Sequence, residues 1–172
     1  MKKLTYSILA GLALFTVASC SNNNSSKTST ESPEAVSEQP TKPEAAAAVT
    51  LDLSAGDDMK YDKDTLKAKP GQQVTVVLHH TGKQSKASMG HDFVLLKLGA
   101  DYAAFGAAAT KAPDREHLPA DLMSQVIAHT DIIGGGESTQ VTFTAPSVAG
   151  YYPYVCSFPG HYTMMHGVLV IE

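Results

Sequence analysis

Tyr154-Val-Cys156-Ser-Phe-Pro-Gly-His161-Tyr-Thr-Met-Met165-His-Gly-Val-Leu-Val170 joins two apolar, strand-like segments through a Pro-Gly turn. Cys156, His161 and Met165 follow one another at spacings of five and four residues. Pro and Gly favour a tight turn, so this loop can bring its side chains around one point. A thiolate, an imidazole and a thioether are ligands that copper prefers, which predicts a soft-metal site in the loop.

A second imidazole has to come from elsewhere, because a blue-copper site needs two imidazoles and a thiolate with a weak axial thioether. The best candidate is His91 in Met89-Gly-His91-Asp-Phe93, where a glycine precedes an apolar strand pattern. A loop that meets a sheet at this point would present the imidazole at the sheet end. The four side chains together predict one copper ion.

Other interpretations of Cys156 stay open on spacing alone. A single cysteine often packs as a small hydrophobic residue. Cys156 and His161 could also form a nucleophile pair, although Met165 has no role in acyl transfer. Zinc is a weaker alternative, because methionine is a poor zinc ligand.

The rest of the C-terminal part of the chain has a β pattern. Alternating or continuous apolar runs, separated by Pro and Gly turn signals, predict several short strands and therefore an all-β sandwich. The predicted strands are 49–53, 65–69, 73–80, 92–98, 126–129, 139–144, 151–155 and 167–171. Between about 100 and 125 the sequence is rich in alanine and predicts a small helical insertion.

The N-terminal part predicts export and anchoring. Residues 1–19 combine two lysines, an apolar run too short to span a bilayer, and small residues before Cys20. This order resembles the lipobox of bacterial lipoprotein signals, in which the cysteine is acylated. An ordinary secretory signal, with Cys20 present by chance, is the alternative. We expect the protein in the periplasm or at the cell surface, held to a membrane by acylated Cys20.

Three segments follow from the composition: a signal peptide at 1–19, an acylated cysteine and tether at 20–48, and one domain at 49–172. The tether is rich in Ser, Asn, Thr, Glu, Pro and Ala, which predicts disorder rather than a packed core. A linker added for expression is the alternative. The domain is long enough for one hydrophobic core. With 17 acidic and 13 basic residues and no basic cluster, nucleic acid is excluded as an expected partner.

The domain resembles the azurins of the cupredoxin family over nearly its whole length. Met89-Gly-His91 is similar to the azurin Met-Gly-His motif, and the Cys156, His161 and Met165 loop is similar to the azurin C-x4-H-x3-M loop. The segments 126–130 and 133–137 also resemble azurin segments. The acylated, tethered arrangement resembles a lipid-modified azurin.

The resemblance implies an eight-stranded Greek-key sandwich with type 1 (blue) copper. His91, Cys156 and His161 would be equatorial ligands, Met165 the axial one, and the Gly90 carbonyl a very weak axial contact. Asp92, Ser157 and Phe158 would surround these ligands. His161 would show one ring edge to solvent within an apolar docking patch. The residues at matching patch positions are Met59, Met89, Phe158, Pro159 and Met164.

Three departures from the azurin pattern have expected consequences. Asp92 replaces the usual asparagine, and an ionised aspartate can only accept hydrogen bonds. The domain has one cysteine and therefore lacks the usual azurin disulfide, which could cost a few kcal/mol. Gln84 is polar where the patch is commonly apolar. His80 aligns with a family histidine near the copper, for which either titration or structural burial is expected.

The expected function is single-electron transfer between redox proteins outside the cytoplasm. Expected partners are c-type cytochromes or copper or haem reductases that dock transiently on a monomer. An enzyme is not expected, because four protein ligands leave no open position for a substrate. The alternative is an extracytoplasmic copper-binding protein for copper storage, delivery or defence.

Overall fold

The computed structural model describes residues 47–172. The predicted signal peptide, Cys20 and the tether as far as residue 46 lie outside the described residues. Within 47–172 the chain forms eight strands and two α-helices. The strands are β1 Val49–Ala55, β2 Thr65–Ala68, β3 Gln73–His80, β4 Val94–Leu96, β5 Val126–His129, β6 Ser138–Thr144, β7 Gly150–Val155 and β8 His166–Ile171. The helices are α1 Lys86–Met89 and α2 Tyr102–Ala109, with 3-10 turns at Pro113–Arg115, Ala120–Gln125 and His161–Thr163.

Two sheets form the sandwich. The three-stranded sheet has the order β1-β3-β6, and the five-stranded sheet has the order β2-β8-β7-β4-β5. The pairings β1–β3 and β2–β8 are parallel, and the others are antiparallel. The expected all-β sandwich of eight strands is confirmed, and its connections pass from one sheet to the other.

The core lies between the sheets because the strands alternate buried and exposed residues. In β3, every second residue from Val74 to His80 is buried, and in β8 Gly167, Leu169 and Ile171 are buried. Side chains on alternate positions of a strand point to opposite faces, so this alternation directs one face inward. Cys156 and Met165 belong to the same core cluster as Leu53.

The helical insertion covers the outer face of the five-stranded sheet. Asp101 caps α2, because its carboxylate accepts hydrogen bonds from the backbone N–H groups of Ala103 and Ala104. Phe105 of α2 is fully buried in a second core cluster with Val94, Leu96 and Val155. The predicted insertion at about 100–125 is therefore present, as α2 and two 3-10 turns. No helix among residues 47–172 has both the length and the apolarity to cross a bilayer.

One local expectation was wrong, and one element was not predicted. The strand predicted at 92–98 is shortened to β4 Val94–Leu96, and its pairing with β5 is irregular between Leu95 and Leu96. Residues 92 and 93 lie before the strand, where the Phe93 N–H donates to the Thr130 hydroxyl at 3.0 Å instead of to a neighbouring strand. The short helix α1, directly before Gly90, was not predicted.

Candidate metal centre

Three ligand-type side chains meet at one end of the sandwich. The donor atoms of His91, Cys156 and His161 all lie within 4.8 Å of one another. His91 and Cys156 are fully buried, and His161 is 3% exposed. The ring edge of His161 that was expected to face solvent is therefore reached only through a narrow opening in the surface. These residues come from chain segments 65 residues apart, which the sandwich brings together.

His91 is fixed at the sheet end by its backbone and its ring. Its N–H donates to the Ile133 carbonyl, and the Ile133 N–H donates back to the His91 carbonyl, at 3.0 and 2.8 Å. The Nε2 atom lies 2.8 Å from the Gly56 carbonyl oxygen. Because a carbonyl only accepts, Nε2 carries the proton and Nδ1 carries a lone pair. That Nδ1 is buried and has no hydrogen-bond partner.

The loop after β7 positions the other two donors. The Cys156 N–H donates to the Met165 carbonyl at 3.0 Å, which closes the loop at its base. Gly160 has φ 84°, a left-handed conformation that glycine adopts without strain. The chain then enters the 3-10 turn that starts at His161. His161 Nδ1 lies 3.6 Å from the Cys156 sulfur.

The α2 helix braces this loop from outside. Tyr162 packs against the second core cluster, which contains Phe105. Gly106 lies so close to the Tyr162 ring that an added Cβ would be 2.3 Å from its Cγ. The helical insertion therefore supports the loop that carries His161.

Gly90 permits a close approach beside the site. A Cβ at this position would lie 2.6 Å from a methyl carbon of Ile132 and 2.7 Å from the Lys86 carbonyl oxygen. The Gly90 carbonyl oxygen lies 3.9 Å from the Cys156 sulfur. Only a residue without a side chain fits between Ile132 and the Lys86 carbonyl at this position.

His80 lies behind His91 and is buried. The two rings stack with centroids 4.3 Å apart. His80 Nδ1 accepts the Gly82 N–H at 3.1 Å, so Nε2 carries the proton that it donates to the Met89 carbonyl at 2.7 Å. Of the two expectations for His80, the structure shows burial and a structural contact with the ring of His91.

Asp92 is 1% exposed and pairs with the residue after the cysteine. One carboxylate oxygen accepts the Ser157 N–H at 2.7 Å, and the other accepts the Ser157 hydroxyl. The carboxyl group thus acts as an acceptor and holds the Cys156 loop to the His91 segment. Burial raises the pKa of Asp92, although the two Ser157 hydrogen bonds oppose this effect.

The environment keeps the metal-free donors neutral. Burial raises the pKa of the Cys156 thiol well above its usual value, and Asp92 adds to this. Burial lowers the pKa of His161 to about 4, with further lowering by His91 and His80. Burial likewise lowers the pKa of His91, against the opposing hydrogen bond to Gly56. Near neutral pH both imidazoles therefore offer lone pairs, and binding at sulfur must displace a proton.

Several supporting residues have no motif in the sequence. The Tyr61 hydroxyl donates to the Asp92 carbonyl, and its ring meets Tyr154 edge-on at 5.4 Å. Asp57 accepts the backbone N–H groups of Lys83 and Gln84, which fastens the loop after His80. The resemblance to azurins had indicated that His80 lies near the copper, whereas nothing in the sequence indicates the contacts of Tyr61 or Asp57.

The remaining predicted residues lie around this cluster. Met165 is fully buried in the core cluster that contains Cys156, and its N–H donates to the His161 carbonyl at 2.8 Å. Phe158 stacks at an angle on His161, with centroids 4.7 Å apart. Among the predicted patch residues, Met164 is 49% exposed, and Met59, Met89, Phe158 and Pro159 are half-buried.

These donors fit a copper ion. Two nitrogen donors and one sulfur donor converge, and the buried lone pair of His91 Nδ1 is otherwise unsatisfied. A nitrogen-nitrogen-sulfur set suits copper, and such a site at the end of an all-β sandwich defines a mononuclear blue-copper protein of the cupredoxin class.

Comparison with known proteins agrees with this class. The family described as copper binding proteins, plastocyanin/azurin family, matches residues 47–172. Azurin-1 of Alcaligenes xylosoxydans xylosoxydans is 40% identical over 126 residues, which cover 72% of this chain and 97% of the relative. The outer membrane protein H.8 of Neisseria gonorrhoeae is 36% identical over 121 residues, covering 69% of this chain and 65% of the relative.

A solved structure is similar as well. Auracyanin A, a "blue" copper protein of Chloroflexus aurantiacus, superposes with a TM-score of 0.65 at 37% identity, covering 73% of this chain and 99% of that chain. The chain belongs to the plastocyanin/azurin family of copper-binding proteins and is an azurin-type cupredoxin. It is a blue-copper electron-transfer protein that binds one copper ion.

Proposed function

We propose that this chain carries single electrons between redox proteins outside the cytoplasm and has no substrate turnover of its own. In this proposal His91 Nδ1, the Cys156 sulfur and His161 Nδ1 are the equatorial ligands. Met165 supplies the axial thioether and the Gly90 carbonyl a very weak axial contact. The observation that carries the proposal is the buried, unpartnered Nδ1 of His91 beside a cysteine sulfur and a second imidazole.

The residues around the donors favour a site that changes little between redox states. Copper bound there would supply one-electron chemistry by alternating between Cu(I) and Cu(II). The Gly56 carbonyl holds the His91 ring in one tautomer, and His80 packs on its face. The Asp92–Ser157 pair ties the cysteine loop to the His91 segment. Because these supports are hydrogen-bonded and buried, the donor atoms would keep their positions when the copper changes its oxidation state.

The absence of an enzyme activity is proposed from access to the site. His91 and Cys156 are fully buried, and only 3% of His161 is exposed. Four protein ligands would leave no coordination position for a substrate. An electron, unlike a substrate molecule, needs no opening, because it can tunnel through the His161 ring and the packed ring of Phe158.

The docking surface proposed for partners surrounds that opening. It consists of Met59, Met89, Phe158, Pro159 and Met164, and Met164 is the most exposed of them at 49%. Exposed apolar patches mark interaction sites, and small interfaces suit partners that must separate quickly. We propose c-type cytochromes or copper or haem reductases as partners, and a monomer as the working form.

The location is proposed from the N-terminal sequence. Residues 1–19 would direct export, and acylated Cys20 would hold the protein to a membrane through the segment ending at residue 48. The name of one relative, an outer membrane protein, supports a location at a membrane outside the cytoplasm. The domain of residues 49–172 would then work in the periplasm or at the cell surface.

Electron exchange with a cytochrome tests the proposed role. The copper-loaded, oxidised protein is mixed with a reduced c-type cytochrome in a stopped-flow spectrometer. We expect rapid cytochrome oxidation with copper retained in both redox states. Release of Cu(I) to an added chelator during each cycle, without cytochrome oxidation, would favour copper storage or delivery instead.

A pair of variants tests the docking surface. Met164→Glu places a charge in the patch and should lower the second-order rate several-fold. Thr142→Glu, at an exposed position on β6, is the matched control and should leave the rate unchanged. Equal effects of the two substitutions would argue against docking at this patch.

A further inference from the structure

We propose that the end of the sandwich opposite the metal centre rests on a lipid bilayer, with Leu98, Val148 and Tyr151 as its apolar contact. We call these three residues the distal patch. The inference builds on the proposed acylation of Cys20, which would hold the domain next to a membrane. It adds a defined orientation to that anchoring.

The distal patch is exposed, and Val148 and Tyr151 lie within two residues of Gly150. Leu98, Val148 and Tyr151 are 50%, 59% and 68% exposed. Leu98 lies over Gly150, where an added Cβ would be 2.9 Å from the Leu98 side chain. The Tyr152 hydroxyl donates to the Val148 carbonyl at 2.9 Å and fixes the loop before β7.

The N-terminal chain emerges at this same end. Ala47, the first residue described, accepts a hydrogen bond from the Gln72 side chain at 2.6 Å. The Gln72 carbonyl accepts the Ala145 N–H at 2.8 Å. Pro146 follows directly, and Val148 is two residues further along. The chain that leads to Cys20 therefore starts beside the distal patch.

The metal centre lies at the other end of the strands. β7 runs from Gly150, beside the patch, to Val155, the residue before Cys156. Six residues of strand span about 20 Å. β1 and β3 run in parallel from the Val49–Val74 pair to the Ala55–His80 pair, and His80 stacks on His91. The chain thus enters at one end and the donors meet at the other.

The side chains around the patch suit a bilayer interface. Tyrosine places an apolar ring and a polar hydroxyl in the headgroup region, and lysine extends its amine to the phosphates. Lys67, Lys69 and Lys97 are exposed at this end. Lys67 on β2 and Tyr151 on β7 are both cross-strand neighbours of Val170 on β8, so the two side chains lie in one row across the sheet. Two acidic side chains lie at this end as well: Glu172, which pairs with Lys67 at 2.7 Å, and Asp101, which lies beside Lys97 and Leu98.

A bilayer fits this surface better than a second copy of the chain. Three exposed apolar residues fall short of the roughly 1,000 Å² that a stable protein interface buries. An anchored domain needs no such area, because the lipid chains already hold it at the surface. The orientation would leave the metal centre and Met164 facing away from the membrane, where a partner can reach them.

Tryptophan fluorescence tests the contact, because the chain contains no natural tryptophan. The copper-free protein, acylated at Cys20 and carrying Tyr151→Trp, is reconstituted in phosphatidylcholine–phosphatidylglycerol vesicles with and without brominated lipid. Lys83→Trp, exposed at the metal end, is the matched control. We expect brominated lipid to remove most of the fluorescence of Tyr151→Trp and little of that of Lys83→Trp. Equal quenching of both variants, or quenching of neither, in vesicle-bound protein would overturn the proposal.

A second form separates this contact from the anchor itself. Residues 1–19 are replaced by a hexahistidine tag, Cys20 by serine, and the chain is held on vesicles by nickel-chelating lipid. If the Cys20 chain does not bind vesicles, the anchor proposal fails, while the tagged form still tests the distal patch. Selective quenching of Tyr151→Trp in the tagged form supports the patch, and its absence overturns it. A vesicle-free dimer that Val148→Ser dissociates would assign the patch to a second copy and also overturn it.

Discussion

The Nε2–H of His91 donates to the carbonyl oxygen of Gly56 at 2.8 Å, across 35 residues of sequence. This contact decides which ring nitrogen faces the cysteine sulfur. It leaves Nδ1 with a lone pair and without a partner in the metal-free chain. A buried acceptor without a donor is costly. The metal-free site therefore already has a nitrogen lone pair in position to bind a cation.

The Asp92–Ser157 pair leads to a first prediction, because the carboxyl replaces the usual azurin asparagine. Asp92→Asn should keep the hydrogen bonds with Ser157, since the amide oxygen accepts the N–H and the Ser157 hydroxyl can accept from the amide nitrogen. Loss of a carboxylate near the metal should raise the reduction potential, because negative charge favours the more highly charged Cu(II). Redox titration of the copper-loaded variant measures this.

The matched variant for this pair is Asp92→Ala. It leaves the Ser157 N–H and hydroxyl without acceptors and should lower the free energy of unfolding by about 1–3 kcal/mol. Denaturant unfolding of the two metal-free variants separates hydrogen bonding from charge. An unchanged potential in Asp92→Asn would mean that the Asp92 carboxyl is neutral in the copper-loaded protein.

A second prediction concerns Met165. Met165→Leu conserves volume in the core and should change the free energy of unfolding by less than about 1.5 kcal/mol. Copper binding and the blue colour should persist, because an axial thioether binds weakly. The reduction potential should rise, since removal of an electron donor disfavours Cu(II). Met164→Leu, one residue earlier and exposed, should leave the potential unchanged, and equal shifts in both would contradict an axial role for Met165.

The third prediction follows from the imidazole pKa values in the metal-free protein. His161 has a folded-state pKa of about 4, against roughly 6.5 in an unfolded chain. Between these values the unfolded state binds more protons, so stability is lost as the pH falls through this window. The lowered pKa of His91 acts in the same direction. Urea unfolding between pH 4 and 7 should show this slope, and His161→Gln should reduce it.

The sequence predicted much of the fold because its apolar periodicity is regular and its turns contain Pro or Gly. Alternation in β3 and β8 and the Pro159-Gly160 turn suffice to place the cysteine loop at a sheet end. His91 was chosen as the second imidazole, 65 residues before Cys156, because a glycine precedes it at the head of an apolar strand pattern. The resemblance to azurins supported that choice, since spacing within one segment says nothing about a distant one.

The supports of the site could not be predicted in this way. Every residue has a carbonyl, so nothing singles out Gly56 as the acceptor for His91. The stacking of His80 and the hydroxyl contact of Tyr61 with Asp92 depend on how the two sheets face each other. The irregular pairing of β4 with β5 depends on the partner strand, which a single strand's pattern does not contain.

The most direct test of the account is the visible absorption spectrum during titration of the metal-free protein with Cu(II). We predict an intense blue band that saturates at one equivalent and is absent in Cys156→Ser. Cys20→Ser is the matched control and should keep the full intensity. A colourless copper complex of the wild-type chain, or a blue band that survives in Cys156→Ser, would contradict copper binding by the Cys156 sulfur.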